Sequence, residues 1–364
     1  MQAKEIIRVL EEWAPPSLQE SYDNSGLIVG NPNTEVTGIL VNLDCIEEVV
    51  DEAISTGCNM IVAHHPIVFQ GLKRFNGKNY VERTVIKAIK NDILIYAIHT
   101  NLDHVKDGVN KMIGEKLGLK NLKILAPKSG MLCKLVTYVP TDHAKQVRQA
   151  IFNAGAGHIG EYDQCSFNLT GQGTFRGSEN SKPFAGEAGK PHTEDEIRIE
   201  TIMPTYVKSQ VLKALLSAHP YEEVPFDVYS LENSWNEVGS GMIGELNEPV
   251  STSGFLGHVK TAMKVPALRF TESQHKTIQK VAFCGGSGSF LINAAKSKQA
   301  DVFITSDIKY HQFFDGEKDM MLVDIGHHEN EQFTSDLICA KLKEKFPTFA
   351  VRLSETPTNP IKYL

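Results

Sequence analysis

The chain has 364 residues, of which 41% are hydrophobic and 22% charged, with a formal charge of −7. That length exceeds what one core usually supports, so two or three domains are expected. The acidic balance argues against a general nucleic-acid-binding face, although it leaves a local basic patch open. Residues 1–13 read as an amphipathic helix broken by charges, which is neither a signal peptide nor a membrane anchor. No stretch has the length of a transmembrane helix. The six cysteines (Cys45, Cys58, Cys133, Cys165, Cys284 and Cys339) form no C-x-x-C pair. They read as buried thiols of a soluble, cytoplasmic protein.

Residues 1–128 alternate between strand and helix patterns. The apolar run 38–44 ends in the carboxylate of Asp44. Residues 46–56 have helical spacing through Ile46, Val49, Val50, Ala53 and Ile54, and Gly57 closes the helix. A strand over 60–63 then runs into His64-His65-Pro66. A helix over 78–91, a strand over 93–98 and a helix over 108–117 follow, the last ending at Gly118. The strand over 93–98 meets the polar cluster His99-Thr100-Asn101-Leu102-Asp103. Nearly all-apolar strands alternating with helices predict a parallel sheet covered on both faces.

The texture changes in the middle. A strand over 134–140 and a helix over 144–154 precede a glycine-dense, polar stretch, 155–191, that shows no periodicity. Residues 196–203 alternate strictly, the mark of a half-exposed antiparallel strand. A helix over 207–217 and a strand over 226–231 complete the segment. The β-α-β, β-α-β order predicts a small ferredoxin-like α+β domain at 131–235, spliced into a domain made of 1–130 and 236–364. Its segment His219-Pro220-Tyr221-Glu222-Glu223 has two readings: a ligand or gating element, or a helix end imposed by Pro220.

The last third repeats the first. A strand over 280–284 meets a tight turn, Gly285-Gly286-Ser287-Gly288, then a helix over 290–298 and a strand over 300–307. Laid over the first third, His64-His65 falls where Ser306-Asp307 stands, so two related α/β halves with facing strand ends are expected. A strand over 320–325 feeds Gly326 and a helix on which His327 and Glu331, four apart, share a face. His328 and Glu329 then point elsewhere, toward the surface.

Imidazoles and carboxylates at strand ends are metal-ligand types that suit Zn, Fe or Mn, and a carboxylate can bridge two ions. Each cluster also has an ordinary reading: loop histidines at 64 and 65, an N-cap or loop acid at Asp103, local pairing at Glu331. Neighbouring strand residues face opposite ways, so His64 and His65 share a site only where the chain leaves the ladder; Pro66 favours such a departure. Three clusters at the carboxyl ends of strands, where open α/β sheets place ligands, together point to a dinuclear site.

Leu43-Asp44, Ile61-Val62-Ala63-His64-His65-Pro66, 97–103, Thr305-Ser306-Asp307-Ile308-Lys309-Tyr310-His311 and Gly326-His327 with Glu331 resemble the NIF-three-like family, whose members are labelled type 2 GTP cyclohydrolase I. The resemblance covers 1–130 and 236–364. The middle segment, with 160–163, 171–175 and 219–223, looks like the PII/CutA-like domain of the family's long members. The resemblance implies metal ligands His64, His65, Asp103, His327 and Glu331, two divalent ions per subunit, and a homohexameric ring. Ser306 departs from the family's usual glycine and His328 from a common tyrosine; neither is a ligand position.

Three imidazoles and two carboxylates leave open coordination positions, the mark of a catalytic metal site. His99, Tyr310 and His311 are the candidates for proton transfer, and Lys309 is a candidate for holding an anion. The leading expectation is a metal-dependent hydrolase of a small-molecule or nucleotide substrate, with activated water attacking C8 of the GTP purine ring. A dimetal phosphoesterase needs the same site. A metal-binding regulator with a PII-like sensor and no turnover is the alternative from another class. The glycine-rich turn 285–288 could cradle phosphates at a helix N-terminus, but it lacks the Lys-Ser/Thr of a P-loop.

Overall fold

The computed structural model describes residues 1–364. It divides into two compact units, one formed by Met1–Pro127 with Glu237–Leu364 and the other by Lys128–Asn236. Fifteen strands, β1 to β15 in chain order, form three sheets. No helix is long and apolar enough to cross a membrane.

In the discontinuous unit, one sheet holds β1 (Gly26–Val29), β2 (Ile39–Asp44), β3 (Met60–His65), β4 (Leu94–Ala97) and β15 (Val351–Leu353), ordered β1-β4-β3-β2-β15. β15, β2, β3 and β4 run parallel and β1 antiparallel. β2 to β4 are buried almost throughout, which is why they read as unbroken apolar runs rather than alternating ones. The helix Glu47–Ser55 packs Val49, Val50 and Ala53 into this core and stops at Gly57, whose φ of +72° few other residues adopt.

The unit's second sheet holds β5 (Lys120–Lys128), β10 (Trp235–Ser251), β11 (Arg269–Phe270), β12 (Thr277–Ser287), β13 (Val302–Ser306) and β14 (Met321–Asp324), ordered β11-β14-β13-β12-β10-β5. Its plan repeats that of the first. Three consecutive parallel strands, β12-β13-β14 here and β2-β3-β4 there, are flanked beyond the third by a short antiparallel strand. Residues 285–287 belong to β12 and are not a free turn; the helix after them is shorter than its pattern, Ile292–Ser297.

In the continuous unit, β6 (Leu132–Pro140), β7 (Phe167–Arg176), β8 (Pro191–Pro204) and β9 (Phe226–Leu231) form an antiparallel sheet ordered β7-β8-β6-β9. The helices Ala144–Asn153 and Lys208–Ala218 cover one face through Val147, Ile151, Val211 and Leu215, packed on Leu135, Val139 and Ile199. β7 lies inside the stretch that shows no periodicity in sequence. Its ten residues are mostly exposed and include Gly171 and Gly173, so no buried face writes an alternation into them. All six cysteines are free, and all but Cys165 are buried.

Candidate functional site

Parallel strands leave backbone and side-chain groups free at their carboxyl ends, and the polar residues of the discontinuous unit gather there. β3 extends through His65, which pairs in register with Asp44 of β2. The ladder on the other side stops earlier, at Ala63 opposite Ala97. His64 therefore has no strand neighbour on that side, and its Nδ1 meets the Ile98 carbonyl at 2.8 Å. This is how adjacent strand residues bring their rings together, with centroids 5.0 Å apart.

His99 and Asp103 follow β4, with Asp103 on the short helix Thr100–His104. His327 and Glu331 start and end the helix His327–Glu331. Asn330 ties that helix to β12 by donating Nδ2–H to the Cys284 carbonyl at 2.8 Å. Glu331 is buried beneath the imidazoles. Its Oε2 lies 3.0 Å from both His65 Nε2 and His327 Nε2, and its Oε1 lies 3.8 Å from His64 Nε2. Asp103 Oδ1 is likewise 3.8 Å from His64 Nε2. Three donor triplets have all their atoms within 4.8 Å of one another: His64, His65 and His99; His65, His327 and Glu331; His64, Asp103 and Glu331.

The outward nitrogens are all engaged. His65 Nδ1 meets Asp44 Oδ1 at 2.7 Å, His327 Nδ1 meets Asp307 Oδ2 at 2.6 Å, and His99 Nδ1 meets Asp23 Oδ1 at 2.7 Å. An Nδ1–H donated to a carboxylate or carbonyl orients the ring with Nε2 directed inward, where it can give a lone pair to a cation on losing its proton. His64 Nε2 and Asp103 Oδ1 are buried with no hydrogen-bond partner in the protein.

Charge is concentrated here. Burial, then the neighbouring Glu331 charge, pushes the Asp103 carboxyl up to about 8. Burial acts the same way on Glu331, but His327 and the other imidazoles outweigh it and hold Glu331 well below the usual range. Burial disfavours charged His65, yet the Asp44 and Glu331 carboxylates outweigh it and raise that imidazole to about 9. His327 is raised to about 11 by Glu331 and Asp307 against its own burial.

A cavity of about 420 Å³ opens beside the cluster, lined by Tyr22, Phe69, His99, Ser240, Phe290 and Glu331 among others. His104 lines it too, with Nε2 3.1 Å from both Ser240 Oγ and Glu20 Oε1. Gly286, with φ of +63°, passes so close to Glu331 Oε1 that any side chain there would collide with the carboxylate. The amides of Gly285 and Gly288 already donate to Asn110 Oδ1 and Thr305 Oγ1. The glycines of 285–288 thus serve close packing, and two of the amides expected for a phosphate are taken.

His64, His65, His99, Asp103, His327 and Glu331 come together. Tyr310 and His311 do not line this cavity; Tyr310 is exposed beside Phe314 in a separate groove with Arg269 and Phe270. Glu329, expected at the surface, is buried and accepts from Asn359 Nδ2 at 2.9 Å, because the C-terminal segment folds over its side of the helix. Asp23, Glu20, Tyr22 and Phe69 carry no signal in sequence: they sit on loops and turns outside any periodic run.

Asp23 gives a pH test. Burial pushes its carboxyl up, but the hydrogen bonds and charge of His99, with Thr100, outweigh this and hold it well below the carboxylate range. A depressed folded pKa stabilises the fold above the unfolded value of about 4, and that contribution disappears as pH falls toward the folded value. Asp23→Asn is therefore expected to lower the urea midpoint of metal-stripped protein at pH 7, with a gap from the parent that narrows by pH 3. A gap of constant size across that range would assign the loss to packing.

The Duf34/NIF3 (NGG1p interacting factor 3) family model matches residues 1–360. A protein of Halalkalibacterium halodurans named GTP cyclohydrolase 1 type 2 homolog is 40% identical over 364 residues, covering 99% of this chain and 98% of its own. A Bacillus subtilis protein of the same name is 38% identical over 370 residues, with the same coverage. The crystal structure of a Bacillus cereus protein related to NIF3 matches 100% of this chain and 99% of its own at 40% identity, with a TM-score of 0.88. Matched over nearly its whole length in sequence and in fold, the chain belongs to the Duf34/NIF3 family.

Proposed function

We propose that the discontinuous unit is a dinuclear metal-binding domain and that the protein is a metal-dependent hydrolase of a nucleotide. The observation that carries this reading is the set of inward groups: three Nε2 atoms on rings oriented through Nδ1, with the Asp103 and Glu331 carboxylates, and among them His64 Nε2 and Asp103 Oδ1 buried without any protein partner. Two like-charged carboxylates buried together are costly unless cations lie among them, so the donor set fits divalent ions. His64, His65, Asp103, His327 and Glu331 would hold them, with Glu331, which has one oxygen toward each imidazole group, as the shared ligand. Zn, Fe and Mn all suit such nitrogen and oxygen donors. Ions held there would supply Lewis acidity and acidify water near neutral pH.

The protein's own part is to shape the cavity and move protons. Tyr22, Phe69 and Phe290 provide apolar walls against which a heterocycle can lie. His99, fixed by Asp23 with Nε2 as the acceptor, can take a proton from water and return it to a leaving nitrogen. Tyr310 and His311 have no such position within one chain. The relatives' name makes GTP the first substrate to test, with ring opening at C8 as the reaction; a phosphodiester would use the same donors. The test is metal content of protein purified without added metal, then turnover of GTP and of phosphodiesters on that sample. Turnover no greater than that of a metal-stripped control would overturn the hydrolase reading and leave a metal-binding regulator.

We also read residues 128–236 as a PII-like domain that folds by itself; its 2-3-1-4 strand order with both helices on one face supports this. β5 and β10, which lead into and out of it, are sheet neighbours, so a short turn can join them. Replacing 128–236 with such a turn is expected to leave a folded protein with the parent's metal content, checked by circular dichroism and elemental analysis. Loss of fold and metal together would make the segment part of one core. A cytoplasmic homohexamer completes the proposal. The exposed rings of Phe270, Tyr310 and Phe314 support a self-association surface, and sedimentation of the native chain tests it.

A further inference from the structure

A second cavity, of about 780 Å³, lies wholly within the 128–236 unit, on the face of its sheet that the two helices leave open. Its floor is unusual. Gly171 and Gly173 stand at alternate positions of β7 and so face the same way; at Gly171 the sheet presents bare backbone, and the Glu196 carboxylate lies over Gly173. Gly171 pairs in register with Glu196 of β8. Glu196 is only 7% exposed, a rare placement for a carboxylate with no cation on it. Tyr221 Oη donates to Glu196 Oε1 at 2.8 Å. Oε2 rests against Gly173, where no side chain could stand, and accepts no hydrogen bond from the protein.

The segment 219–223 explains how Tyr221 is held there. His219 Nε2 donates to the Tyr138 carbonyl at 2.9 Å, and its Nδ1 accepts the Tyr221 amide at 3.1 Å. Tyr221 stands between Phe175 and Phe184, each with ring centroids 6.1 Å away. Burial, then the hydrogen bond to Glu196, raises the Tyr221 phenol, which keeps it a donor. Beside Glu196 on the same face, Arg198 keeps an Nε with no partner.

A flat floor, aromatic walls and a buried carboxylate with unused lone pairs define a ligand by exclusion. It is planar, because it lies on the open backbone at Gly171 between the aromatic walls of Phe175, Phe184 and Tyr221. It presents two adjacent N–H donors, because a carboxylate has room for a bidentate pair and repels an acceptor. We propose that this cavity is a binding site for a heterocycle with a guanine-type edge, a ring N–H beside an exocyclic amino group, as in guanine or a pterin. Glu196, lying over Gly173, reads the edge, the open backbone at Gly171 seats the ring, and Arg198 faces an anionic substituent. Adenine offers an acceptor where the carboxylate needs a donor and is rejected.

The site is independent of the metal cluster, so its test can fail without touching the hydrolase reading. Guanosine, a pterin and adenosine are titrated calorimetrically into the full-length protein. Saturable binding of guanosine or the pterin is expected, with adenosine at least about tenfold weaker; which of the first two binds tighter assigns the source. Glu196→Gln should weaken that binding by at least about tenfold. Gly171→Val guards against misfolding of that variant: nothing lies within 4 Å of the position a Cβ would take, and valine suits a strand. This side chain should fill the floor and abolish binding while metal content stays at the parent level. The proposal is overturned by equal affinity for adenosine, by guanosine binding that survives both substitutions, or by no binding up to about 1 mM. It is equally overturned if Leu169→Glu dissociates a self-associated form, since the face would then be covered by a second copy.

Discussion

Glu331→Gln is expected to lose metal by more than about 100-fold in affinity, while His328→Ala keeps the parent's content. Both Glu331 oxygens face imidazoles, at 3.0 Å from His65 and His327 and 3.8 Å from His64. Glutamine keeps one acceptor and turns an amide N–H toward the same nitrogens. His328, one residue from a proposed ligand, belongs to none of the three donor groups, so it controls for disturbance of the helix. Asp44→Asn and Asp307→Asn should fall between the two, at about 10- to 100-fold, because each orients an imidazole without being a ligand itself. Elemental analysis after dialysis against a chelator decides. Equal loss in Glu331→Gln and His328→Ala would count against the assigned roles.

For His99→Gln the expected result is a fall in turnover of about 10²- to 10⁴-fold with metal content unchanged, the range typical of a positioned acid or base. The residue lies in the same cluster as His64 and His65, and its Nδ1 is held by Asp23, so its free nitrogen faces the cavity. Holding ions needs no proton shuttle. Normal metal with lost turnover therefore separates catalysis from storage, whereas loss of metal in His99→Gln would make this imidazole a ligand. His311→Ala is the companion: unchanged turnover leaves proton transfer with His99, and a comparable fall would bring a residue from outside this cavity into the reaction.

Much of the fold was legible because burial on both faces leaves a direct mark. β2, β3 and β4 are apolar from end to end, so their alternation with helices was enough to place the parallel strands and their polar ends at Asp44, His64-His65, His99 and His327. A four-residue spacing on a short helix likewise put His327 and Glu331 on one face. The family motifs were readable for the same reason, since they sit at those strand ends.

What only the tertiary structure decided involves residues whose partners lie far along the chain. Asp23 holds His99 across 76 positions and Asp307 holds His327 across 20. Loop carboxylates like these carry no periodicity to announce a partner. Glu329, which helical spacing turned toward solvent, is buried because the segment near Asn359 packs against it. β7 was invisible because its glycines and exposed polar residues give no alternating face, yet those same glycines form the floor of the second cavity. Spacing records which residues share a face of one element; which faces meet is set by the packing of elements distant in sequence, and both the inward turn of the imidazoles and the burial of Glu196 arise there.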